Sequence, residues 1–370
     1  MSYSLATLWH DRPRYLPAVV AVAFSAVLMT LQSGMVLGVL SIVSLPVDHS
    51  AADIWIGAPE VKSVDVGSPI PVRWAARLNL PDVVAQEEYV QGVAFWHRST
   101  GGSELTVVHG SRLYPGAFGA AAELTPELRS RLSEPGAVVV DRSDLGRLGL
   151  SGDGPEGEVN GRRVRVVGTV RGVKGLVGAN LFCSLDTARY LLRLPPEQTT
   201  YLLAKCRDEA DVADVANRLR QHGDMAVFTK AEFSTSTHRH WLLQTGAGIV
   251  VGLTTALGIL VGVAVTSQTL FAATAASVRE FAVLSALGIP RWRMAAAVLT
   301  QSFWIGLAGL ALAAPVAYSL EAIAEACGAK VILAAGVLTA AAAGTQVTAM
   351  LSGVGALRAL KLAEPATLLR

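Results

Sequence analysis

Four long runs without a charged residue constrain this chain more than any other feature of its sequence. They cover residues 15–47, 241–278, 294–320 and 331–357. Each run exceeds the ~20 residues that an α-helix needs to cross the hydrocarbon core of a bilayer. The composition agrees, because 52% of the 370 residues are hydrophobic, only 16% are charged and the mean hydropathy is +0.44. We therefore predict four transmembrane helices.

The first run has an alternative interpretation as a cleaved signal peptide, because Arg12 and Arg14 precede an apolar stretch that contains small residues. The apolar core of a signal peptide spans only ~7–15 residues, and this run is about twice as long. We therefore favour a transmembrane helix. The preceding residues 1–14 are expected to form either a short amphipathic segment at the inner interface or a frayed tail.

The positions of Lys and Arg predict the orientation of the helices. Basic residues precede the first run, join the second to the third and follow the fourth, whereas the 321–330 hairpin carries two Glu and one Lys. By the positive-inside rule, both termini, the 279–293 loop and the 358–370 tail are cytoplasmic. Residues 48–240 then form a large extracytoplasmic domain between the first and second helices.

Short β-rich runs alternate with turn signals inside this domain. Helical patterns lie among them, so the sequence predicts an α+β domain of two lobes. Residues 151–161, rich in Gly, Pro and Glu, are expected to form a mobile loop. The strand candidates are residues 54–56, 90–96, 105–108, 137–140, 164–170 and 201–205, and the helix candidates are 72–77, 125–132, 185–192 and 209–222.

The second uncharged run is far longer than a bilayer requires. We predict that residues 241–278 form the second transmembrane helix and that its surplus projects outward as a stalk. Three pairs of glycines, four residues apart within each pair, could let helix backbones approach closely, either within one subunit or across a dimer. These glycines are Gly34, Gly38, Gly248, Gly252, Gly258 and Gly262.

Few residues suggest chemistry in this chain itself. No phosphate-binding loop, catalytic constellation or basic stripe interleaved with aromatics is present, so nucleotide hydrolysis and nucleic-acid binding are not expected. His238 and His240 alternate as a metal-binding pair could, but they lack a third ligand nearby in sequence and fit a polar anchor beside the membrane better. Cys183 and Cys206 could form a disulfide or remain two buried thiols in strands.

The cytoplasmic loop after the second helix has the pattern of a short docking helix. Phe281, Leu284 and Gly288 recur at helical spacing and form one face, while Arg279 and Glu280 keep the opposite side in water. Gly288 and the proline two residues later end the helix. This segment is therefore predicted to be a lever that a cytoplasmic partner holds.

The order of one helix, a large external domain and three further helices resembles the permease subunits of the MacB/FtsX class of ABC transporters. The sequence VREFAVLSALG at 278–288 is similar to the loop of that class, and EPATLLR at 364–370 is similar to its usual ending. Within the class the chain looks most like DevC-type permeases. That likeness rests on the runs at residues 52–57, 90–96, 159–168 and 228–233.

The resemblance implies a homodimer in the bacterial inner membrane, with both termini cytoplasmic. It implies two cytoplasmic ABC ATPases that bind ATP and Mg²⁺, a periplasmic membrane-fusion adaptor and, in many members, an outer-membrane exit duct. The chain itself would be a transport subunit with no cofactor, no metal and no catalytic residue. The residues expected to couple to the ATPase are Arg279, Glu280, Phe281, Leu284, Leu287, Gly288 and Arg291.

On this resemblance the expected function is transmission of ATPase motion to the external domain, which drives export of a lipid, glycolipid or other amphiphile. The alternative is an FtsX-like mechanotransmission protein that regulates a cell-wall hydrolase without transport. An external segment of about 190 residues favours the exporter, because regulators of this type usually have smaller ones. A membrane-bound sensor or enzyme is a third class, disfavoured because no catalytic constellation was found.

Overall fold

The computed structural model describes residues 12–98, 101–150, 156–275, 290–326 and 329–362. The chain forms two compact units. The membrane unit comprises Met1–Gly38 and Val250–Arg370, and the α+β unit comprises Val39–Ile249.

In the described residues the helices are α1 (Arg12–Val43), α2 (Leu45–Asp48), α3 (Pro126–Leu132), α4 (Leu185–Leu192), α5 (Val212–Arg220), α6 (Lys230–Gln244), α7 (Gly246–Ala275), α8 (Arg291–Ala326) and α9 (Ala335–Leu362). The strands are β1 (Ile54–Gly57), β2 (Ile70–Pro71), β3 (Val83–His97), β4 (Ser103–Ser111), β5 (Ala137–Asp141), β6 (Glu156–Val159), β7 (Arg162–Val170), β8 (Ala179–Ser184), β9 (Gln198–Thr199), β10 (Tyr201–Cys206) and β11 (Ala226–Thr229).

Four helices are long and apolar enough to cross a membrane. The candidate spans are Tyr15–Val43 in α1, Gly246–Thr269 in α7, Ala295–Ala326 in α8 and Ala335–Val354 in α9. Between the first and second of them lies a unit of mixed strands and helices. The predicted fold class, four transmembrane helices with a large α+β domain after the first, is confirmed.

The connection between the third and fourth membrane helices differs from its prediction. We predicted a hairpin at 321–330, but α8 continues to Ala326 and α9 begins only at Ala335. The charges of Glu321 and Glu325 end the apolar run without ending the helix, because glutamate is a good helix former. The described residues between α8 and α9 bond to α1, because the amide of Ile332 donates to the carbonyl of Gly34 at 3.1 Å.

Small residues bring the membrane helices together. Ala18 and Val22 of α1 are fully buried against Ile305 of α8 and Ala349 of α9. Nearby, the buried hydroxyl of Ser25 accepts a hydrogen bond from Thr266 of α7 at 2.8 Å. The small side chains among them, Ala18, Ser25 and Ala349, allow close approach where lipid supplies no hydrophobic drive for association.

The first lobe of the α+β unit is an antiparallel sheet in the order β11-β1-β10-β3. Both faces are covered, so successive residues of β1 enter different cores. Ile54 and Ile56 pack with α5, whereas Trp55 packs with Tyr89, Tyr201 and Phe233 on the opposite face. This alternation follows from the two-residue period of a strand.

The second lobe is a six-stranded ring. The outer half of β3 pairs with β4, and the order continues β8-β5-β7-β6. The ring closes because Trp96 of β3 pairs with Val159 of β6. Trp96 is fully buried and its indole donates to the carbonyl of Leu148 at 3.1 Å. Gly157 lies against the Trp96 ring, where a Cβ would collide with it.

The predicted strands and loop have mixed outcomes. All six strand candidates lie within β1, β3, β4, β5, β7 and β10. The prediction of a mobile loop at 151–161 is wrong for residues 156–161, which form β6 and a tight turn, and residues 151–155 lie outside the described residues. Asn160 and Gly161 both have positive φ, 51° and 80°, as a two-residue hairpin turn requires.

The two thiols described in the structure are free. Cys183 in β8 and Cys206 in β10 are both buried and form no disulfide with each other. Burial raises the pKa of the Cys206 thiol to about 11. Both therefore behave as inert core side chains, and Cys327 lies outside the described residues.

A buried polar chain joins the two lobes. The hydroxyl of Tyr89 lies 3.0 Å from Nδ1 of His109, and Nε2 of His109 lies 3.2 Å from Oδ1 of Asn180. The Asn180 amide then donates to the carbonyl of Val173 at 2.9 Å. The neutral imidazole with its proton on Nε2 satisfies both contacts. Desolvation by burial accordingly lowers the pKa of His109 to about 4.

We expect His109→Gln to flatten the acid sensitivity of the α+β unit. Because the folded pKa of His109 is depressed, its contribution to stability is present above the unfolded pKa near 6.5 and is lost as pH falls toward 4. Between pH 7 and pH 5 the wild type should lose about 2 kcal/mol more stability than the variant. Unfolding midpoints of the full chain at the two pH values measure this. Parallel losses in both proteins would contradict the prediction.

Asp144 makes stability depend on pH in the opposite direction to His109. Its side chain is fully buried, and neither carboxylate oxygen has a hydrogen-bond partner in the described part of the chain. Burial, and then the nearby Asp141 carboxylate, raise the pKa of Asp144 to about 6. The stability it contributes is present below its unfolded pKa of 3.8 and is lost as pH rises through 6.

We therefore expect Asp144→Asn to raise the unfolding temperature above that of the wild type at pH 7.5. The advantage should vanish as pH falls to 4, because the wild-type carboxyl is then neutral as well. A thermal-unfolding series across this pH range measures the difference. An advantage that stays constant with pH would show that ionisation of Asp144 is not its cause.

Candidate functional site

Helix α6 begins immediately after β11 with a complete capping box. Thr229 accepts a hydrogen bond from the amide of Glu232 at 3.3 Å, and Glu232 accepts one from the amide of Thr229 at 2.8 Å. Two of the free amides at the helix start are satisfied in this way. Arg220 of α5 also pairs with Glu232, which fixes the start of α6 against the first lobe.

One face of α6 is attached to the α+β unit by apolar packing. Phe233 is fully buried and stacks on Phe228 with ring centroids 4.8 Å apart. It also contacts Trp55 and Tyr201 at 5.7 and 5.6 Å between centroids. Aromatic pairs of this geometry add to the energy of area burial. Phe233 therefore inserts α6 into the aromatic core of the first lobe.

Polar contacts also hold the same face of α6 to the first lobe. Thr237 and Trp241 follow Phe233 at intervals of four residues, so the three side chains lie on one side of the helix. Thr237 accepts a hydrogen bond from the amide of Val64 at 3.2 Å, and the Trp241 indole donates to Asp65 at 3.1 Å. We call Phe233, Thr237 and Trp241 the docking face of α6.

The two histidines beside the membrane do not form a joint site. Nε2 of His238 lies 2.9 Å from the hydroxyl of Ser44, whereas Nδ1 of His240 lies 3.0 Å from the side-chain oxygen of Gln244. No cluster of three metal-binding side chains occurs among the residues that the structure describes. His238 thus joins α6 to the residue that follows α1.

Helices α6 and α7 meet at a single extended residue. Thr245 has φ −98° and ψ 143°, and its hydroxyl donates to the carbonyl of Trp241 at 2.7 Å. The same hydroxyl accepts from the amide of Gly248 at 3.0 Å. A Cβ on Gly248 would collide with the carbonyl of Trp241. Thr245 therefore caps both helices and defines a joint between them.

The prediction of one helix over 241–278 is wrong at this joint. The apolar run predicted helical continuity, but the Thr245 side chain competes for the same backbone groups. The stalk also begins earlier than predicted, because α6 starts at Lys230 within polar sequence. The triplet Gly246-Ala247-Gly248 directly after a threonine is the signal that could have located the break.

Four of the six predicted glycines contact another segment of the same chain. Gly34 and Gly38 of α1 lie against residues 330–333, and a Cβ on Gly38 would collide with the carbonyl of Lys330. Gly258 and Gly262 of α7 face Gln32 and Met29 of α1, at 3.1 and 3.2 Å from an ideal Cβ. Gly248 instead contacts its own chain at the joint, and Gly252 has open space around it.

The structure does not test the residues predicted to couple to the ATPase. Arg279, Glu280, Phe281, Leu284, Leu287 and Gly288 lie outside the described residues. Arg291 is the first residue of α8. Their assignment stays a prediction.

We expect Gly38→Val to destabilise the membrane unit. A side chain there must displace the backbone at Lys330, and overpacking of this kind costs about 1–3 kcal/mol. Gly252→Val is the matched control, because the same change on another membrane helix meets open space. Thermal unfolding in one detergent compares the two variants. Equal midpoints would show that the contact at Gly38 is not tight.

Two family profiles match the sequence. A profile described as the MacB-like periplasmic core domain matches residues 17–222, which is more than half of the chain. A profile described as the FtsX-like permease C-terminal region matches residues 252–364. The first match ends before α6 and the second begins within α7. Among curated protein sequences, none matched.

Solved structures similar to this chain include three isolated domains. The periplasmic region of MacB from Actinobacillus actinomycetemcomitans is 14% identical with a TM-score of 0.36, and the match covers 54% of this chain and 97% of that one. The extracellular domain of the noncanonic ABC-type transporter YknZ from Gram-positive bacteria is 10% identical at 0.33, covering 47% and 98%. A permease domain from Porphyromonas gingivalis is 10% identical at 0.30, covering 49% and 88%.

Proposed function

Since this chain belongs to the MacB/FtsX-like permeases, we propose that it is the membrane-spanning subunit of an ABC exporter. Permeases of this family partner with an ABC ATPase. In our proposal, a separate cytoplasmic ATPase binds ATP and Mg²⁺, and this chain carries the resulting motion across the bacterial inner membrane. A second copy of the chain completes the permease.

The docking face of α6 is the observation that supports transmission. Phe233, Thr237 and Trp241 attach this helix to the first lobe, and the same stretch of chain continues through the Thr245 joint into α7. A displacement of α7 along its axis would therefore act on a helix that is packed into the lobe. Close-packed protein interiors transmit displacement with little compression.

The extracytoplasmic lobes would receive this motion and act on cargo on the outer side. The proposed cargo is a lipid, glycolipid or other amphiphile, passed to a periplasmic membrane-fusion adaptor and, where one is used, to an outer-membrane duct. The proposed topology places both termini and the 279–293 segment in the cytoplasm. An FtsX-like regulator of a cell-wall hydrolase would share this topology and would differ in its partners.

We expect Phe281→Asp to leave the protein inserted in the membrane and to release the ATPase. A carboxylate buried in the docking groove of the ATPase would have no partner and would cost several kcal/mol. Each 1.4 kcal/mol corresponds to a factor of ten in affinity, so recovery of the ATPase should fall at least about tenfold. Pull-down of the tagged permease from detergent-solubilised membranes measures it.

Phe95→Asp is the control for this experiment, because Phe95 is half exposed on β3 and the same change there should leave the ATPase bound. Recovery of a membrane-fusion adaptor together with the ATPase would support export. Recovery of a peptidoglycan hydrolase would instead favour the regulator. Undiminished ATPase binding by Phe281→Asp would refute the proposed coupling segment.

A further inference from the structure

A cleft opens beside the second lobe of the α+β unit, where strands β4 and β8 end. The two strands are parallel, and Ser111 at the end of β4 lies in register with Ser184 at the end of β8. The volume of the cleft is about 610 Å³. Sites for small molecules usually occupy ~300–1,000 Å³, so the cleft is large enough for one.

Ser111 presents a nearly buried hydroxyl group to this cleft. The residue is only 5% exposed and lines the cleft, so its remaining accessible surface opens there. Its hydroxyl forms no hydrogen bond with any residue that the structure describes. The hydroxyl of Ser184 is satisfied by contrast, because it lies 2.9 Å from the hydroxyl of Thr187 in α4. Buried polar groups are usually paired, so Ser111 is the hydroxyl that a ligand would satisfy.

Arg163 of β7 adds an unpaired guanidinium group to the lining. Its side chain forms no ion pair or hydrogen bond within the described ranges, although Glu158 lies opposite it on β6. Arg165, two residues later on the same strand, is paired with Glu134. Arginine presents its donors as a planar fork that matches the oxygens of carboxylates and phosphates. Arg163 is therefore available to an anionic ligand.

Helix α4 begins at the wall of the cleft. Its first turn lines the cleft, and the amide of Thr187 there is already bonded to the Ser184 hydroxyl at 3.2 Å. The amide of Asp186, one residue earlier, has no partner within the helix. Amides at a helix start carry partial positive charge, which favours a bound phosphate. The helix start thus adds a third kind of donor to the hydroxyl and the guanidinium.

The charged side chains around these donors act in both directions. Arg112, which also lines the cleft, shares the carboxylate of Glu88 with Arg189 of α4, so two guanidinium groups face one carboxylate. The exposed carboxylate of Asp186 opposes them. An anion in the cleft is therefore attracted by the arginines and repelled by Asp186, which gives the charge of the ligand a measurable sign.

A phosphate ester matches this lining better than a carboxylate. It carries close to two negative charges and presents three strong acceptor oxygens to donors that come from different elements. Tyr114 and Tyr190 also line the cleft and are 49% and 54% exposed, so they offer ring surface to the organic part of the ester. Arg162 already lies 3.7 Å from the centre of the Tyr190 ring, which disfavours a cationic organic part.

We propose that this cleft binds a phosphate ester. The phosphate oxygens accept hydrogen bonds from Arg163, Ser111 and the start of α4, and the organic part lies against Tyr114 and Tyr190. A soluble sugar phosphate and a phospholipid headgroup both have this chemistry. The inference goes beyond the proposed export function, because it requires only the folded α+β unit.

Isothermal titration calorimetry of the full chain in detergent tests the proposal with glucose 1-phosphate, and glucose is the uncharged control ligand. Only the phosphate ester should bind saturably. Arg163→Gln should weaken its binding at least about tenfold, as expected for loss of a hydrogen bond to a charged group. Arg142→Gln is the matched control and should bind like the wild type, because Arg142 is exposed at the opposite end of β5 from the cleft.

Asp186→Asn and Ser111→Ala should change the affinity in opposite directions. Removal of the repelling carboxylate should tighten binding of glucose 1-phosphate about threefold. Loss of the hydroxyl donor should weaken it about threefold. Weaker binding by Asp186→Asn, or equal binding of glucose and glucose 1-phosphate by the wild type, would overturn the proposal.

Two further ligands, inorganic phosphate and dihexanoyl phosphatidic acid, identify the source of the ester. Tighter binding of the lipid than of glucose 1-phosphate would assign the site to a membrane headgroup, and the reverse order would assign it to a soluble ester. Tyr190→Ala should weaken binding of the preferred ester and leave inorganic phosphate unaffected. If inorganic phosphate bound as tightly as both esters, or if none of the three bound, the proposed ester site would be refuted.

Discussion

The absence of water from the bilayer core is the constraint on which the membrane unit depends. Every backbone group there must find a partner within the protein, which restricts the four spans to helices. Side-chain hydroxyls follow the same rule, since Thr269 and Thr300 donate to the carbonyls four residues earlier at 2.7 Å. Association must then come from close packing. Gly34 and Gly38 supply this, because they let the residues after α8 lie directly on α1.

Much of the fold follows from patterns that act locally. Uncharged length fixes the spans, and β-rich runs between turn signals identify strands such as β1 and β10, whose two faces enter different cores. The ring closure between β3 and β6 could not be predicted, because Glu156-Gly157-Glu158 has the composition of a loop. It forms a strand by pairing with β7 and β3, and Gly157 leaves room for Trp96, a contact between residues far apart in sequence.

In the candidate site, too, some features follow from local sequence and others from contacts between residues far apart in the chain. The sequence pattern singled out the 279–293 segment as a lever, and residues 279–289 of it lie outside the described residues. The docking face of α6 was not predicted, because Phe233, Thr237 and Trp241 do not form a helical repeat of apolar residues. Their significance comes from partners contributed by β1, β10 and the Val64–Val66 turn. Only the fold brings those partners to the helix.

The ring of strands in the second lobe also limits the exposure of unpaired strand edges. A sheet ordinarily ends in strands whose unpaired amides and carbonyls can recruit another polypeptide, which is how aggregation begins. Pairing β6 back onto β3 removes that exposure on one side. In the described part of the nine-stranded sheet, the remaining outer strand is β11, four residues long and followed directly by α6. The large sheet therefore offers little template for polymerisation.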